Sequence, residues 1–488
     1  MSKDLRAFVF LSTAFLLCLS CFTYSRGQSM KAEITIDAIK STAIVSGSFE
    51  SGSNGRNFYI GERNMAGTSG TKRISGLHLY QNGNTSADYR ELVPGEFLAS
   101  DRFDRWSYNI DLSPQNAGNA AHSTWVGNND GLIQPADLLP NLGGDVPVSA
   151  SVRLYLPAGW QAVTTEEKGS DRSYQVGDAS KAVFRIGKDL RSVKSEIAGR
   201  SIELTFSGTW LFRDDEAAAM AAEIYDEYRK IFGGSQGGAA HISLMHFATT
   251  GGPGRWEAET RGRTITIVSS DMNFRTQSLQ RLHEQLRHEV FHLWLPNAVA
   301  LTGNYDWFYE GFALYRSLKM AVFLNRIRFD DFLDTLSRAY SIDTRSSGRL
   351  SLIDASKARS GSGDTRVYAR GMLVAFLADI SLLKRSKGKA SVDDILYRVF
   401  KEHKRPNAAA DGTTTVIDVM MKAGVERRIV TDLVMGSGPI EWADEIATAG
   451  LQPPTAQSSL TVTLKPTGRQ KALLNKLGYN NWRKLSTR

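Results

Sequence analysis

The chain has 488 residues, of which 42% are hydrophobic and 23% are charged, and these proportions are ordinary for a globular protein. A chain of this length exceeds the size of a single hydrophobic core and predicts about three domains. The formal net charge is +8, but seven cations and no acid lie within residues 452–488. The basic excess therefore belongs to the carboxyl-terminal tail, and we expect no nucleic-acid partner for the protein.

The amino-terminal segment, residues 1–27, predicts a signal peptide. Lys3 and Arg6 supply its positive charge, and the apolar run from Phe8 to Leu19 is too short to span a bilayer comfortably. Cleavage after Gly27 would release the mature protein. We therefore expect an exported protein of the periplasm or cell envelope of a bacterium.

The same segment offers a second outcome, because Leu19-Ser20-Cys21 resembles a relaxed bacterial lipoprotein box. Cys21 would then carry the lipid, although Cys18 stands where a leucine is usual. Plain secretion and lipidation both stay open. Since Cys18 and Cys21 are the only cysteines in the chain, no disulfide can form within the mature domains.

Residues 30–206 have the pattern of a β-rich domain. Polar and apolar residues alternate in several runs, as they do in strands with one buried face. The clearest runs are Ala32–Ile39, Arg153–Leu156 and Ser201–Phe206. Turn signals such as Asn82-Gly83 separate the runs, and no group of catalytic residue types occurs among them.

The next region mixes helices and strands. A helix is predicted from Asp214 or Asp215 to Ile231, followed by strands at His241–Phe247 and Arg263–Ser270. Apolar residues at steps of three and four then predict a second helix; they are Leu279, Leu282, Leu286, Val290 and Leu293. Ser278 is its expected N-cap and Pro296 its expected end.

The second helix carries a metal-binding pattern, His288-Glu289-Val290-Phe291-His292. Positions i and i+4 of a helix share one face, so His288 and His292 can direct two imidazoles at one point. A catalytic zinc site needs three protein ligands, and Glu310, on a helix predicted from about Tyr305 to Leu324, is the natural third. Glu289 is placed to act as a general base without ligating the metal.

These residues resemble a known family. The pattern H-E-x-F-H-x-W, followed by W-F-Y-E-G-F with Glu310 as its acid, is similar to the glycyl aminopeptidases among the gluzincin zinc metallopeptidases, which are related to the membrane alanyl aminopeptidases. Seventeen residues separate His292 from Glu310, one fewer than is usual in those relatives. The difference falls in a loop, where length costs little. The resemblance implies an enzyme with peptide substrates and one zinc ion per chain.

The family also implies two residues beyond the metal ligands. Glu257 lies where the relatives have a G-x-M-E-N stretch, and there it would bind the positively charged α-amine of the substrate. Arg255, Trp256 and Ala258 depart from that pattern. Tyr368, in a Y-x-x-G stretch, corresponds to a tyrosine that stabilises the oxyanion of the transition state.

The implied fold is multidomain α+β. A β-rich domain at residues 30–206 would precede a thermolysin-like zinc catalytic domain at 207–330. An α-helical domain at 331–451 would follow, and then the basic tail at 452–488. Many members of the family continue into a PDZ domain, for which the 37 residues of this tail are too few.

Two other functions stay open at this point. The chain could be an endopeptidase of the same fold, if the changes around Glu257 have removed recognition of the amine. It could also be a binding protein that keeps the fold without turnover. Intact Glu289 and Tyr368 argue against that second alternative.

The tail has two interpretations. Its cations are interleaved with Leu473, Leu474, Leu477, Tyr479 and Trp482. Residues from about 470 to 485 could therefore form an amphipathic helix that associates weakly with an anionic membrane surface. The alternative is a disordered, solvated end.

Overall fold

The computed structural model describes residues 28–481, apart from 51–54, 61–63, 66–67, 82–84, 115–118, 142–146, 250–251, 346–347, 349, 363–365, 407 and 455–458. The expectations for the signal peptide, the lipid on Cys21 and Trp482 thus lie outside the described residues. The chain divides into two compact units, Met1–Asp189 and Leu190–Arg488.

The described part of the first unit consists mainly of strands. In chain order, β1 to β17 are Gln28–Asp37, Thr42–Phe49, Gly55–Tyr59, Asn64–Met65, Thr68–Ser69, Ile74–Gln81, Thr85–Ala87, Tyr89–Val93, Glu96–Phe103, Arg105–Asp111, Trp125–Val126, Asp130–Ile133, Val148–Tyr155, Trp160–Val163, Glu167–Lys168, Tyr174–Val176 and Phe184–Lys188. Short 3-10 turns lie at Gly70–Arg73 and Pro135–Asp137.

An eight-stranded sheet organises this unit, in the order β15-β16-β13-β1-β2-β10-β6-β7, with β1 and β13 parallel. Smaller sheets β11-β12-β17-β14 and β3-β9-β8 accompany it. Trp106 and Tyr108 of β10 stack in the core. Gly47 of β2 leaves space for Trp106, because a Cβ there would lie 2.6 Å from the indole ring. The predicted β-rich character of this region is confirmed.

The second unit begins with a five-stranded sheet in the order β18-β19-β20-β22-β21. These strands are Arg191–Ile197, Arg200–Phe206, Ala240–Met245, Trp256–Arg261 and Thr264–Ser269 as β18 to β22. Strands β19, β20 and β22 run parallel, and β18 and β21 are antiparallel edges. Ser201–Phe206, which was predicted to end the amino-terminal β-rich domain, lies in β19 of this sheet, and the division into compact units falls at Asp189.

The first two helices of the second unit pack on the sheet, and the others follow in the chain. In chain order, α1 to α10 among the described residues are Asp214–Ile231, Arg275–His292, Asp306–Phe323, Phe329–Arg345, Leu352–Ser362, Arg366–Arg385, Val392–His403, Gly412–Ala423, Ala443–Thr448 and Gly468–Leu477, with a π-helix at Ile429–Val434. Short strand pairs join Leu301–Thr302 to Ala410–Asp411 (β23, β24) and Leu451–Gln452 to Thr461–Val462 (β25, β26). One hydrophobic core runs from β19 through these helices.

The described part of the tail packs on this unit. Helix α10 ends at Leu477, and Leu473, Leu474 and Leu477 are buried in the shared core. The Asn481 side chain donates to the carbonyl oxygens of Val322 and Phe323 at the end of α3. The described part of the tail thus includes an ordered helix, as one interpretation of residues 470–485 predicted, and association of the tail with a membrane stays a prediction.

Across the described residues, no helix combines the length and apolarity needed to cross a lipid bilayer.

Candidate functional site

Helix α2 places the two predicted histidine ligands on one face near its end. Their Nε2 atoms lie 3.2 Å apart. The opposite side of the helix is anchored in the core by Leu282, Leu286 and Val290, which are all 3% exposed or less. The spacing of the leucines therefore fixes which side of α2 faces the protein, and His288 and His292 take their direction from it.

The ends of α2 differ in detail from the prediction. The helix begins at Arg275, and Ser278 lies inside its first turn, where its hydroxyl accepts the Met272 backbone N–H at 2.9 Å. It ends at His292, four residues before Pro296, the expected end. The histidines still occupy the last two turns.

Helix α3 brings the third predicted ligand to the same point. The Oε2 atom of Glu310 lies 3.3 Å from Nε2 of His288 and 3.6 Å from Nε2 of His292. Tetrahedral zinc with bonds of about 2.0–2.2 Å requires ligand atoms roughly 3.3–3.6 Å apart. The three atoms therefore already stand at the separations that one zinc ion needs.

The donor atoms also have suitable chemistry. Nδ1 of His292 lies 2.9 Å from the carbonyl oxygen of Leu295, so Nδ1 carries a proton and Nε2 is the nitrogen directed at the other two candidate ligands. Two imidazole nitrogens and a carboxylate oxygen thus converge, with Glu289, His292 and Glu310 all less than 10% exposed. Burying such a group of electron-rich atoms is favourable when a cation lies among them.

The charges within the cluster shift its titration. Burial disfavours a charge on His292, but the Glu310 carboxylate, with smaller contributions from Glu289 and the Leu295 carbonyl oxygen, outweighs burial and raises the pKa of His292 to about 8. Burial acts on Glu310 toward the neutral acid, yet His292 and His288 together hold the pKa of Glu310 well below its ordinary value. Glu310 is therefore ionised at neutral pH, as a carboxylate ligand must be.

Glu289 has a fixed partner that sequence reasoning missed. The hydroxyl of Thr260, on β21, lies 2.7 Å from Glu289 Oε2 and 3.0 Å from the Glu289 carbonyl oxygen. The bond to the carboxylate holds one oxygen of Glu289 and leaves Oε1 for another partner. No local signal could have revealed the pair, because 29 residues separate its members.

Glu257 lies on the other face of the same edge strand. Side chains alternate along a strand, so Thr260 and the core-packed Ala258 share the face toward α2, and Glu257 points to the opposite side. Its Oε1 lies 2.8 Å from Arg255 Nη2, and Glu259 forms a similar pair with Arg261 at 2.7 Å. The structure therefore places Glu257 in an ion pair on the face away from Thr260, and its role in binding an amine stays a prediction.

Tyr368 is positioned by a close helix crossing. Gly311, next to Glu310 on α3, contacts Gly371 on α6 so closely that a Cβ on Gly311 would lie 2.5 Å from the Gly371 Cα. Tyr368 is one turn before Gly371 on the same face of α6, and it is half-buried. The two glycines thus bring the start of α6 to the turn of α3 that carries Glu310.

The start of α6 is further secured by Arg370. Its guanidinium pairs with the buried carboxylate of Asp343 at 3.2 Å and donates to the carbonyl oxygens of Leu433 and Gly438 at 3.0 and 2.9 Å. Arg370 is 2% exposed, and breaking such a buried pair is strongly destabilising. Helix α6, which carries Tyr368, is therefore held by α4 and by the segment that contains Leu433 and Gly438.

A buried arginine also links the two ligand helices. Arg287, next to His288, donates from Nη1 to the Ser317 carbonyl oxygen of α3 at 2.7 Å. Burial and, to a smaller extent, the charge of Arg287 lower the pKa of the neighbouring His283 to about 3. His283, the other histidine of α2, is therefore neutral inside the core.

No protein-family model matches the chain, and no curated protein matches it in sequence. Solved structures do match it. The aminopeptidase N family protein from Idiomarina loihiensis aligns with a TM-score of 0.72 at 16% identity, over 90% of this chain and 82% of that chain. An M1 zinc metallopeptidase mutant from Deinococcus radiodurans, bound to a Tyr-Ser-Ala substrate, gives 0.54 at 13% identity, over 85% of this chain and 95% of that chain. The unmutated protein from the same organism aligns with a TM-score of 0.52 at 15% identity, over 85% of this chain and 97% of that chain.

At these identities the likeness concerns the fold. It confirms the predicted multidomain α+β architecture, with an amino-terminal β domain and a carboxyl-terminal helical domain.

Proposed function

We propose that this chain is an exported zinc aminopeptidase of the glycyl aminopeptidase type, which removes amino-terminal residues from peptides. The observation that carries the proposal is the convergence of His288, His292 and Glu310 on one point, in a fold shared with aminopeptidase N and M1 zinc metallopeptidase structures. Export to the bacterial periplasm or envelope is supported by the amino-terminal sequence alone.

The three converging residues would hold one zinc ion per chain. When bound, zinc supplies Lewis-acid chemistry: it polarises a carbonyl group and lowers the pKa of water. His292 contributes a lone pair whose direction is set by its bond to Leu295. Glu310 contributes a negative charge that is present at neutral pH.

Glu289 would move the proton. Its carboxylate takes a proton from the attacking water and passes it to the leaving amine, so that the carboxylate is restored at the end of the cycle. Thr260 keeps Oε2 engaged and so presents Oε1 for this task. A buried, oriented carboxylate loses little freedom when the substrate arrives, which favours catalysis.

Tyr368 would stabilise the negative charge that develops on the scissile carbonyl oxygen. A neutral phenol can donate one hydrogen bond to that oxygen. The Gly311–Gly371 contact supports this role, because it brings the first turns of α6 beside Glu310. Glu257 is the proposed partner of the substrate α-amine, in which case the amine must compete with Arg255.

That competition favours a second candidate, a zinc endopeptidase. The 2.8 Å contact between Arg255 and Glu257 already neutralises the acid that would select a free amino terminus. A matched pair of peptides, one with a free and one with an acetylated amino terminus, separates the candidates. An aminopeptidase cleaves only the free peptide, whereas an endopeptidase cleaves both.

The central test changes Glu289 to Gln in the purified protein. Zinc content, measured by atomic absorption, should stay near one per chain. Hydrolysis of aminoacyl reporter amides should fall by about 100- to 10,000-fold, the usual effect of removing a general base. Glu284→Gln, an exposed change on the same helix, is the control and should be fully active. Full activity of Glu289→Gln, or a wild-type protein that binds no zinc, would contradict the proposal.

Tyr368→Phe tests the oxyanion role separately. The variant should keep its zinc and its KM, while kcat falls by roughly a hundredfold, as it does when one oxyanion donor is removed. A raised KM with unchanged kcat would instead place Tyr368 in substrate binding. Zinc binding without turnover on any peptide would favour the catalytically silent binding protein.

A further inference from the structure

A groove remote in sequence from the metal ligands gathers cations around an apolar floor. It lies between the end of α6 and one face of α10 and has a volume of about 370 Å³, within the range of small-molecule sites. Lys384 and Lys387 line one wall, and Arg469 and Lys476 line the other. No acidic residue of the described chain lines the groove.

The floor consists of Leu383, Ala472 and Leu473. Arg469, Ala472, Leu473 and Lys476 follow the i, i+3, i+4, i+7 spacing of a single helix face. The groove therefore has a cation at each end of its α10 wall and apolar surface between them.

Its walls are fixed by packing. Leu474 and Leu477 anchor α10 in the core, and Thr467 accepts the Gln470 backbone N–H as the N-cap of the helix. Arg469 reaches across to the Lys384 carbonyl oxygen at 3.5 Å. The arrangement is thus part of the folded unit and is not a flexible end.

The positive charge of the groove is largely uncompensated. Glu426 lies 3.6 Å from Lys384. In the part of the chain that the structure describes, no ion pair involves Lys387, Arg469 or Lys476. Cations held together around a low-dielectric floor attract an anion more strongly than the same cations spread over a surface.

We propose that this groove binds an anionic lipid. The phosphodiester headgroup would lie among Lys387, Arg469 and Lys476, and the first part of an acyl chain would cover Ala472 and Leu473. The chemistry favours a lipid over a free phosphate because half of the lining is apolar. Since Leu473, Leu474 and Leu477 of α10 all belong to the core, and only Leu473 also lines the groove, lipid enters the groove and the helix does not insert into the bilayer. The proposal is independent of peptidase activity.

The experiment measures binding of dihexanoyl phosphatidylglycerol, below its micelle concentration, to the full chain by calorimetry. Saturable binding is expected, with dihexanoyl phosphatidylcholine and glycerol phosphate each binding much more weakly. Lys387→Glu combined with Lys476→Glu should weaken the Kd roughly tenfold or more, because charge-assisted contacts are lost. Arg398→Glu combined with Arg427→Glu changes two exposed cations outside the groove by the same charge and should leave the Kd unchanged.

Ala472→Phe separates a shaped site from diffuse attraction. The exposed Ala472 can accept a phenyl ring that fills the floor without any change of charge. The variant should lose lipid binding if the groove is the site. Unchanged binding by Ala472→Phe, equal weakening by both double reversals, or equal affinity for glycerol phosphate would each overturn the proposal.

Discussion

The candidate metal-ligand cluster was expected from sequence to act on a substrate, whereas the carboxyl-terminal tail was expected either to associate with a membrane surface or to be a disordered, solvated end. In the cluster, the polar atoms of His288, His292 and Glu310 are brought together within the protein. In the tail, it is the apolar residues that turn inward, and Leu473, Leu474 and Leu477 become core.

The difference shows how far a short pattern can be interpreted. An i, i+4 histidine pair specifies its own geometry, because helix spacing alone brings the two rings together. A row of apolar residues on one helix face shows only that this face packs against some apolar partner. Whether that partner is a bilayer or a neighbouring helix depends on residues far away in the chain, here those of α3, α6 and α9. Substitutions in the cluster should therefore change catalysis, whereas substitutions in the tail should change the free energy of unfolding.

Removing a ligand should give the largest effect. His292→Ala should abolish both zinc binding and hydrolysis, since a catalytic site needs its three ligands, while the far-ultraviolet circular dichroism stays that of the folded protein. The control is His283→Ala on the same helix, because His283 is buried and is not among the converging ligand atoms. The control should keep zinc, and retention of zinc by His292→Ala would contradict the site.

A substitution in the tail should lower the stability of the protein and leave its activity unchanged. Leu474 is fully buried, so Leu474→Ala should lower the free energy of unfolding by about 2–5 kcal/mol, as measured by urea denaturation. The kcat of the folded protein and its zinc content should not change. Asn475→Ala, an exposed neighbour, is the control for helix propensity. Equal stability of the two variants would mean that α10 does not pack in solution as it does here.

The smallest effect on activity is expected for Thr260, which acts through its hydrogen bond to Glu289. Thr260→Val keeps the shape of the side chain and removes its hydroxyl, so kcat should fall roughly tenfold as the carboxylate loses its hydrogen bond. KM and zinc content should be unaffected. Thr260→Ser should restore most of the rate, since it returns the donor. If serine fails to restore the rate, Thr260 acts through packing and not through its hydroxyl.

Strong local patterns predicted the helices well. Helix α3 was expected from about Tyr305 to Leu324 and runs Asp306–Phe323, and α1 was expected to end at Ile231 and does. The start of α2 was less accurate, because Ser278 is used inside the helix and not as its cap. Capping residues can hydrogen-bond locally in more than one way, so a single serine is a weak boundary marker.

The sequence by itself determined which residues could bind a metal, because His288, His292 and the helix between them form a local unit. It also determined that the amino-terminal region is built of strands, through alternation along each run. Only the tertiary structure decided that β19 joins the five-stranded sheet and that Thr260 contacts Glu289. It also decided that Gly311 and Gly371 allow α3 and α6 to touch, and that the leucines of α10 pack in the core. Each of these contacts joins residues distant in the chain, and their pairing depends on packing that no short window of sequence contains.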